Sequence, residues 1–181
     1  RYDFNDKLYF SNSYSENNAH YVYRYKPQNG AVNKDAIFTV QTNLSQLHYD
    51  DQSFKAILSY TNTDQNNFTK ARNKSGSTYL DTIKTISNAG YNDRTYGLDL
   101  QKNWKLENDV AIFGVNVQRD TCDYSEDSLT VATNKYTSAS RDYSRNMYSA
   151  YGQYNHALNK ASNLIFSARE TWTGSTKAEN I

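Results

Sequence analysis

The stretch YGLDLQKNWKLENDVAIFGVNVQRD, residues 96–120, decides the fold of this chain. Apolar and polar residues alternate through both of its arms, which meet at a short polar turn, Glu107 to Asp109. Because successive side chains of a β-strand point to opposite faces, each arm has one apolar and one polar face. The pattern predicts a long antiparallel hairpin whose apolar face must be covered by something other than water.

Short polar turns recur along the chain, each flanked by segments that alternate with period two. Besides the turn in residues 107–109, they are Asn5 to Lys7, Asp50 to Gln52 and Asn159 to Ala161. Such turns between alternating segments are the signature of tight hairpins. The composition favours strands as well, because Tyr, Thr and other β-formers are abundant.

The connections between these hairpins are longer, polar and rich in Tyr or Asn. They cover roughly residues 15–35, 64–93 and 121–144, and we expect them to be long loops. In the second of them, Leu80, Ile83 and Ile86 lie three apart, which predicts a short surface helix. Short turns at one end and long loops at the other are typical of transmembrane β-barrels, which must close to satisfy their backbone groups in lipid.

Counting every second residue predicts one apolar face through seven strands. In residues 37–44 we assign the even-numbered side chains Phe38, Val40, Thr42 and Leu44 to this face, and Thr39, Gln41 and Asn43 to the opposite face. The residues that we expect to contact lipid are Phe54, Leu58, Tyr60, Tyr96, Leu98, Leu100, Trp104, Phe113, Val115, Val117, Tyr148, Tyr154, Leu164, Phe166 and Trp172.

The spacing of the aromatic residues favours a membrane. Tyr96 and Trp104 share the apolar face eight residues apart, which is about 26 Å along a strand and close to the distance between two aromatic girdles when the strand is tilted. Lys102 and Glu170 interrupt the apolar face. Both lie beside a Trp near one end of their strands, so we expect their charged groups to reach the interface.

The composition limits the other classes of protein. The 181 residues carry 20 Lys and Arg against 19 Asp and Glu, so there is no basic stripe of the kind that binds nucleic acid. Cys122 is the single cysteine, and the histidines are too scattered for a zinc motif. The acidic residues Asp120, Asp123, Glu126 and Asp127 lack the spacing of a Ca²⁺ loop, and we interpret them as part of a solvated loop. We therefore expect no cofactor, no metal and no enzymatic activity.

The 96–120 hairpin and the run YSAYGQYNHALNKASNLIFSARETWT, residues 148–173, resemble consecutive hairpins of TonB-dependent outer-membrane receptors. The resemblance is carried by Tyr148 to Gln153, the turn at Asn159 to Ala161, and Ala168-Arg169. It implies an all-β, antiparallel transmembrane barrel in a bacterial outer membrane, of which this chain would supply about seven or eight of about 22 strands. The plug domain and the remaining strands of such a receptor are not in this sequence, and we expect the chain to be part of a longer protein.

The resemblance also implies a function. Members of this family take up scarce nutrients, such as siderophore-type metal chelates or cobalamin, and a periplasmic energy-transducing protein acts through the plug. Outer loops of the family bind the ligand, and Tyr and Arg are the residues that anchor recognition surfaces. The candidate ligand-binding residues are therefore Tyr21, Tyr23, Arg24 and Tyr25 on the first loop, with Asp123, Tyr124, Tyr136 and Arg141 on the third.

Two other interpretations remain open at the level of the sequence. The chain could be a complete small outer-membrane barrel that acts as an adhesin or an anchor through its long loops. It could also be a secreted, soluble β-sheet protein that binds carbohydrate or another surface. Only the length of the parent protein and its behaviour without detergent distinguish these from the receptor.

Overall fold

The computed structural model describes residues 1–24, 32–76, 78–107, 109–159, 162–174 and 177–180, without the side chains of 20–24, 32–35, 74, 78, 79, 81 and 177–180. Almost all of this part is β-strand. The strands are β1 (Tyr2–Asp3), β2 (Leu8–Arg24), β3 (Val32–Asp50), β4 (Phe54–Ser75), β5 (Thr78–Leu106), β6 (Asp109–Thr130), β7 (Lys135–Asn159), β8 (Ser162–Thr173) and β9 (Lys177–Asn180), with a 3₁₀-helix at Val131–Thr133.

The strands form a single antiparallel sheet in chain order. β1 to β8 are each hydrogen-bonded to the next, and β9 pairs with β7 beyond the end of β8. Within the described residues β8 does not pair with β1, so the sheet is not closed. The predicted all-β class and antiparallel order are therefore confirmed, and the sheet is compatible with part of a barrel.

The predicted short turns join paired strands, and all of them lie at the same end of the strands, which we call the short-turn end. The β3–β4 turn shows how local chemistry makes them. The Asp51 carboxylate accepts hydrogen bonds from the backbone N–H groups of Ser53 and Phe54, at 3.1 and 2.8 Å. Gln52 adopts a positive φ of 71°. A side-chain oxygen that replaces a backbone acceptor is the usual reason for Asp in turns.

The predicted long loops are wrong. β2 continues to Arg24, β4 and β5 meet around Gly76, and β6 and β7 are joined by the 3₁₀-helix and Asn134. Both faces of the sheet carry mostly polar side chains in these regions, so the sequence shows no sustained apolar alternation there. The backbone ladder continues nevertheless, because each strand offers its neighbour unpaired N–H and C=O groups.

The predicted surface helix is also wrong, and its spacing has another cause. Ile83 and Ile86 lie in β5 opposite Arg72 and Lys70 of β4, with a register shift between them. An extra residue in a strand moves the side chains that follow to the other face. A spacing of three across a β-bulge therefore brings both isoleucines to the same face.

Cross-strand partners point to the same face of the sheet, so the register assigns each side chain to a face. We name the two faces after neighbouring residues of β5, the Leu98 face and the Asp99 face. All fifteen residues that were predicted to contact lipid lie on the Leu98 face. One row across it contains Phe10, Leu47, Leu58, Leu98, Val117, Tyr148 and Trp172.

The face assignment of β3 is wrong by one residue. Leu47 lies opposite Leu58 and Tyr49 opposite Ala56, so the odd-numbered residues of β3 share the Leu98 face. Phe38, Val40, Thr42 and Leu44 therefore lie on the Asp99 face, whereas Thr39, Gln41 and Asn43 lie on the Leu98 face. This segment has apolar residues on both parities, and only pairing with β2 and β4 selects the register.

The sheet is one layer thick in the described part of the chain. Its only buried apolar side chain there is Ala36, whereas Leu58 and Phe166 on the Leu98 face are 57% and 59% exposed. The Asp99 face is more crowded. Tyr151 lies across Gly114, and its hydroxyl is 3.2 Å from Oε1 of Gln101, two strands away.

The short-turn end is staggered from strand to strand. Leu8, the first residue of β2, lies in the same cross-strand row as Glu170, which comes eight residues after the start of β8. At about 3.3 Å per residue and about 4.8 Å per strand, this stagger over six steps tilts the strands by about 40° from the perpendicular to the line of turns.

Candidate functional site: a polar cavity beyond the apolar band

The Leu98 face changes character beyond Tyr60 and Tyr96, whose ring centroids are 5.0 Å apart. Towards the short-turn end, its side chains are mostly large and apolar, and we call this part the apolar band. In the other direction the next three rows are polar, whereas Phe68, Ile86 and Leu129 lie further out on the same face. The first three rows are Asn43, Asn62, Arg94, Thr121 and Ser144; then Gln41, Asp64, Asn92, Asp123 and Asp142; then Thr39, Asn66, Gly90, Ser125 and Ser140.

An open cavity of about 640 Å³ lies over the second and third of these rows. All ten residues of those rows line it, together with Gln65, Tyr91 and Tyr124. The volume is in the range of small-molecule sites, but most of the lining side chains carry amide, hydroxyl or carboxylate groups instead of being apolar. We call it the Gly90 cavity.

Small side chains give the cavity its depth. Gly90 lies between Asn66 and Ser125 in the third row, and Ser125 lies opposite Ser140. A Cβ atom at Gly90 would meet Ser125 Oγ at 3.4 Å and the Gln65 carbonyl oxygen at 3.8 Å, so there is space above this position. The missing side chain therefore leaves room for a ligand.

Hydrogen bonds hold the carboxylates of the second row in place. Asp64 accepts from Nδ2 of Asn62 at 2.9 Å and also from the Asn92 amide. Arg94 donates from Nε to the Asn92 side-chain oxygen at 2.7 Å and forms an ion pair with Asp123. The Arg94 charge is thus shared with Asp123, and the lining as a whole is acidic.

Two neighbouring tyrosines, whose ring planes are tilted by 41°, lie behind the cavity on the Asp99 face. The rings of Tyr91 and Tyr124 are 4.8 Å apart and belong to directly opposite residues. The Tyr124 hydroxyl donates to Oε2 of Glu126 at 2.6 Å. This hydrogen bond, with a smaller contribution from burial, raises the pKa of Tyr124 to about 12. Tyr124 is therefore a neutral hydrogen-bond donor throughout the physiological range of pH.

The structure brings together only part of the predicted ligand-binding set. Asp123 and Tyr124 line the Gly90 cavity. Arg141 lies opposite Tyr124 and Tyr136 lies opposite Leu129, and neither lines the cavity.

Three of the four residues predicted on the first loop lie at the end of β2. Tyr25 lies outside the described residues. Tyr21, Tyr23 and Arg24 belong to β2 and not to a loop, and their side chains lie outside the described part.

Most residues of the cavity were missed because they lie in segments that were interpreted as loops. The signal was present in the alternation itself. Continuing the phase of Tyr60 gives Asn62, Asp64 and Asn66, and continuing that of Tyr96 backwards gives Asn92 and Gly90. The side chains stay in phase because the strands continue past the last apolar residue.

The acidic residues that had been considered for Ca²⁺ do not converge. Asp120 and Glu126 lie on the Asp99 face, whereas Asp123 and Asp127 lie on the Leu98 face. They belong to β6 and not to a loop. Within the described residues, no group of three or more His, Cys, Asp or Glu side chains has an arrangement that could hold a metal ion.

Comparisons with known proteins find no relative of this chain. No family model, no curated protein and no solved structure matches it. Among the residues that the structure describes, no helix is long and apolar enough to cross a membrane. The function must therefore be argued from the sheet and the cavity themselves.

Proposed function

We propose that this chain supplies strands of a β-barrel in a bacterial outer membrane, and that the parent protein is a receptor that takes up a scarce nutrient. The ligand is a siderophore-type metal chelate, cobalamin or a similar molecule. A periplasmic energy-transducing protein acting on a plug domain drives its release. Such transport depends on different ligand affinities of the closed and open states and needs no bond-making chemistry.

The apolar band is the observation that carries the membrane part of the proposal. Across β5 to β8 it presents large, exposed side chains in adjacent rows, among them Leu98, Trp104, Phe113, Val117, Tyr148, Tyr154, Leu164, Phe166 and Trp172. Soluble monomers rarely expose continuous apolar patches larger than a few hundred Å², because each Å² left in water costs about 25 cal/mol. Contact with lipid removes that cost.

The shape of the band supports the same conclusion. Aromatic residues border it on both sides, with Tyr60, Tyr96 and Trp172 away from the short turns and Trp104 near them. Two aromatic girdles around an apolar zone are a feature of outer-membrane barrels. The tilt of about 40° that follows from the staggered turns is also the value typical of such barrels.

Polar side chains inside the band find partners or reach its border. Nζ of Lys102 is 3.4 Å from Oγ of Ser53 in the β3–β4 turn, so the ammonium group extends towards the short-turn end. In β2 and β3, where the band is narrower, the Asn12 amide donates to Asn43 and Ser45, both at 2.8 Å. Polar groups that satisfy one another reduce the cost of contact with lipid.

The two native tryptophans of the chain test the membrane part. Trp104 and Trp172 both lie on the Leu98 face. The parent protein is reconstituted in phosphatidylcholine vesicles that carry bromine on the acyl chains, and each tryptophan is isolated by subtracting the spectrum of its Trp→Phe variant. We expect bromine near the carboxyl end of the chain to quench both. Tryptophans that are not quenched at any bromine position contradict the membrane placement.

The uptake part rests on the resemblance to TonB-dependent receptors, and it has a separate test. We expect deletion of the parent gene to abolish the accumulation of radioactive iron supplied as a chelate, or of labelled cobalamin, in nutrient-starved cells. The undeleted strain and a strain with the gene restored are the controls. Unchanged accumulation of both nutrients would reject the receptor and favour an anchor or adhesin in the same membrane.

A further inference from the structure

We propose that the Gly90 cavity binds the uncharged saccharide headgroup of a glycolipid whose acyl chains lie along the apolar band. This inference rests on the proposed membrane placement. It concerns a site on the Leu98 face, which would be the outer surface of the barrel. It is therefore distinct from any nutrient site on the Asp99 face.

The lining has the chemistry that a saccharide requires. Each sugar hydroxyl both donates and accepts a hydrogen bond, and amide and hydroxyl side chains do the same. Asn66, Ser125 and Ser140 form the floor around Gly90, and their side chains have no hydrogen bond among the described residues. Asp64 adds a carboxylate that is already oriented by Asn62 and Asn92. Groups that are fixed before binding lower its entropic cost.

The charge of the lining selects against anionic headgroups. Asp64, Asp123 and Asp142 all lie in the second row, and Arg94 in the first row already forms an ion pair with Asp123. A phosphate placed here would face three carboxylates, and none of the described residues that line the cavity is a Lys or an Arg. An uncharged sugar avoids this repulsion, and its hydroxyl groups can donate hydrogen bonds to the carboxylates.

The position of the cavity indicates that the saccharide is attached to lipid. Asn92 lies four residues beyond Tyr96 on the same strand and face. That separation is about 13 Å along the strand, or about 10 Å of height at a tilt of about 40°. If the tyrosines mark the edge of the hydrocarbon, the cavity lies at the level of the headgroups and just above. A glycolipid can then occupy the cavity and the band together.

The test uses the parent protein in bilayers of phosphatidylcholine, with and without a synthetic lipid that carries a lactose headgroup. Gly90→Val fills the cavity with a β-branched side chain, which is favourable in a strand. The Cβ atom of this side chain has room at position 90. Ala89→Val is the matched control, because Ala89 is the adjacent residue and points to the Asp99 face. Binding of the lactosyl lipid is measured by native mass spectrometry, and binding of free lactose by calorimetry in detergent.

We expect the wild type and Ala89→Val to retain the lactosyl lipid at least tenfold better than Gly90→Val, and to bind free lactose more weakly but with the same dependence on the variant. Equal retention by all three proteins overturns the proposal. Free lactose that binds as tightly as the lactosyl lipid overturns the lipid as the source of the sugar. Failure of the protein to enter bilayers rejects the membrane placement, and lactose binding in detergent then still decides whether the cavity is a saccharide site.

Discussion

The two halves of the Leu98 face share the same strands and the same backbone ladder, yet they carry opposite chemistry. Near the short turns, β5 pairs Leu98 with Val117 and Leu100 with Val115. Further along, the same two strands pair Asn92 with Asp123 and Gly90 with Ser125 without a change in register. At Tyr60 and Tyr96 the polarity of the side chains therefore changes, whereas the backbone structure does not.

Two glycines on opposite faces of the sheet differ in packing. At Gly114, on the Asp99 face, the ring of Tyr151 occupies the space of the absent side chain, 2.0 Å from where a Cβ would lie. At Gly90, in the polar half of the Leu98 face, no side chain fills the space, and a cavity remains. The first glycine thus allows close packing, whereas the second leaves a site open.

The largest effect is expected from a charge in the apolar band. Phe166→Lys should destabilise the parent protein in phospholipid vesicles by about 2–4 kcal/mol, the cost of a lysine near the middle of a bilayer. Ser167→Lys, on the Asp99 face of the same strand, and Ser125→Lys, in the polar half of the Leu98 face, should each change stability little. Urea unfolding in the vesicles measures all three. Similar effects of Phe166→Lys and Ser125→Lys would remove the distinction between the halves.

A smaller effect is expected where Tyr151 packs on Gly114. Gly114→Ala should cost about 1–3 kcal/mol, because the new methyl group displaces the ring and its contact with Gln101. Gly152→Ala is the control, since a Cβ there has its nearest neighbour at 3.9 Å. The same unfolding measurement on the Gly114→Ala, Tyr151→Ala double variant should give less than the sum of the single effects. Strict additivity would mean that the two residues do not interact.

The short-turn end should show a modest dependence on pH through Asp51. The backbone N–H of Phe54, with help from Ser53 and Tyr49, lowers the pKa of this carboxyl below its usual value. The stabilisation is therefore complete above the ordinary carboxyl pKa and is lost as the pH falls through the lowered value. Asp51→Ala should reduce the thermal midpoint at pH 7 and remove part of its acid dependence. Asp6→Ala, in the β1–β2 turn, is the control, and an equal effect of both would exclude this role for Asp51.

The smallest expected effect is a titration behind the Gly90 cavity. Glu126→Gln replaces the charged acceptor that raises the pKa of Tyr124 with a neutral one, so that pKa should fall from about 12 towards 10. Stability linked to this tyrosine is complete below its ordinary pKa of about 10 and is lost as the pH rises through about 12. NMR of the tyrosine ring measures the change, with Ser125→Ala as the control. An unchanged pKa in Glu126→Gln would show that the hydrogen bond is not its cause.

Local sequence was sufficient to predict the hairpins and most of the apolar band. The alternation around Leu98 and Phe113 places apolar side chains on one face regardless of distant partners, because the period of a strand is two. Asp51 and its counterparts close tight turns through bonds to their own neighbours. Both signals act within a few residues, so the sequence by itself determines them.

The remaining features depend on pairs of strands and became visible only in the tertiary structure. The phase of β3, the bulge between Ile83 and Ile86, and the continuation of polar segments as strands are all consequences of cross-strand pairing. The Gly90 cavity combines residues from five strands, β3 to β7, of which the sequence singled out only Asp123 and Tyr124. Where both faces are mostly polar, no sustained apolar alternation marks a strand, and the hydrogen bonds of the neighbouring chain decide its structure.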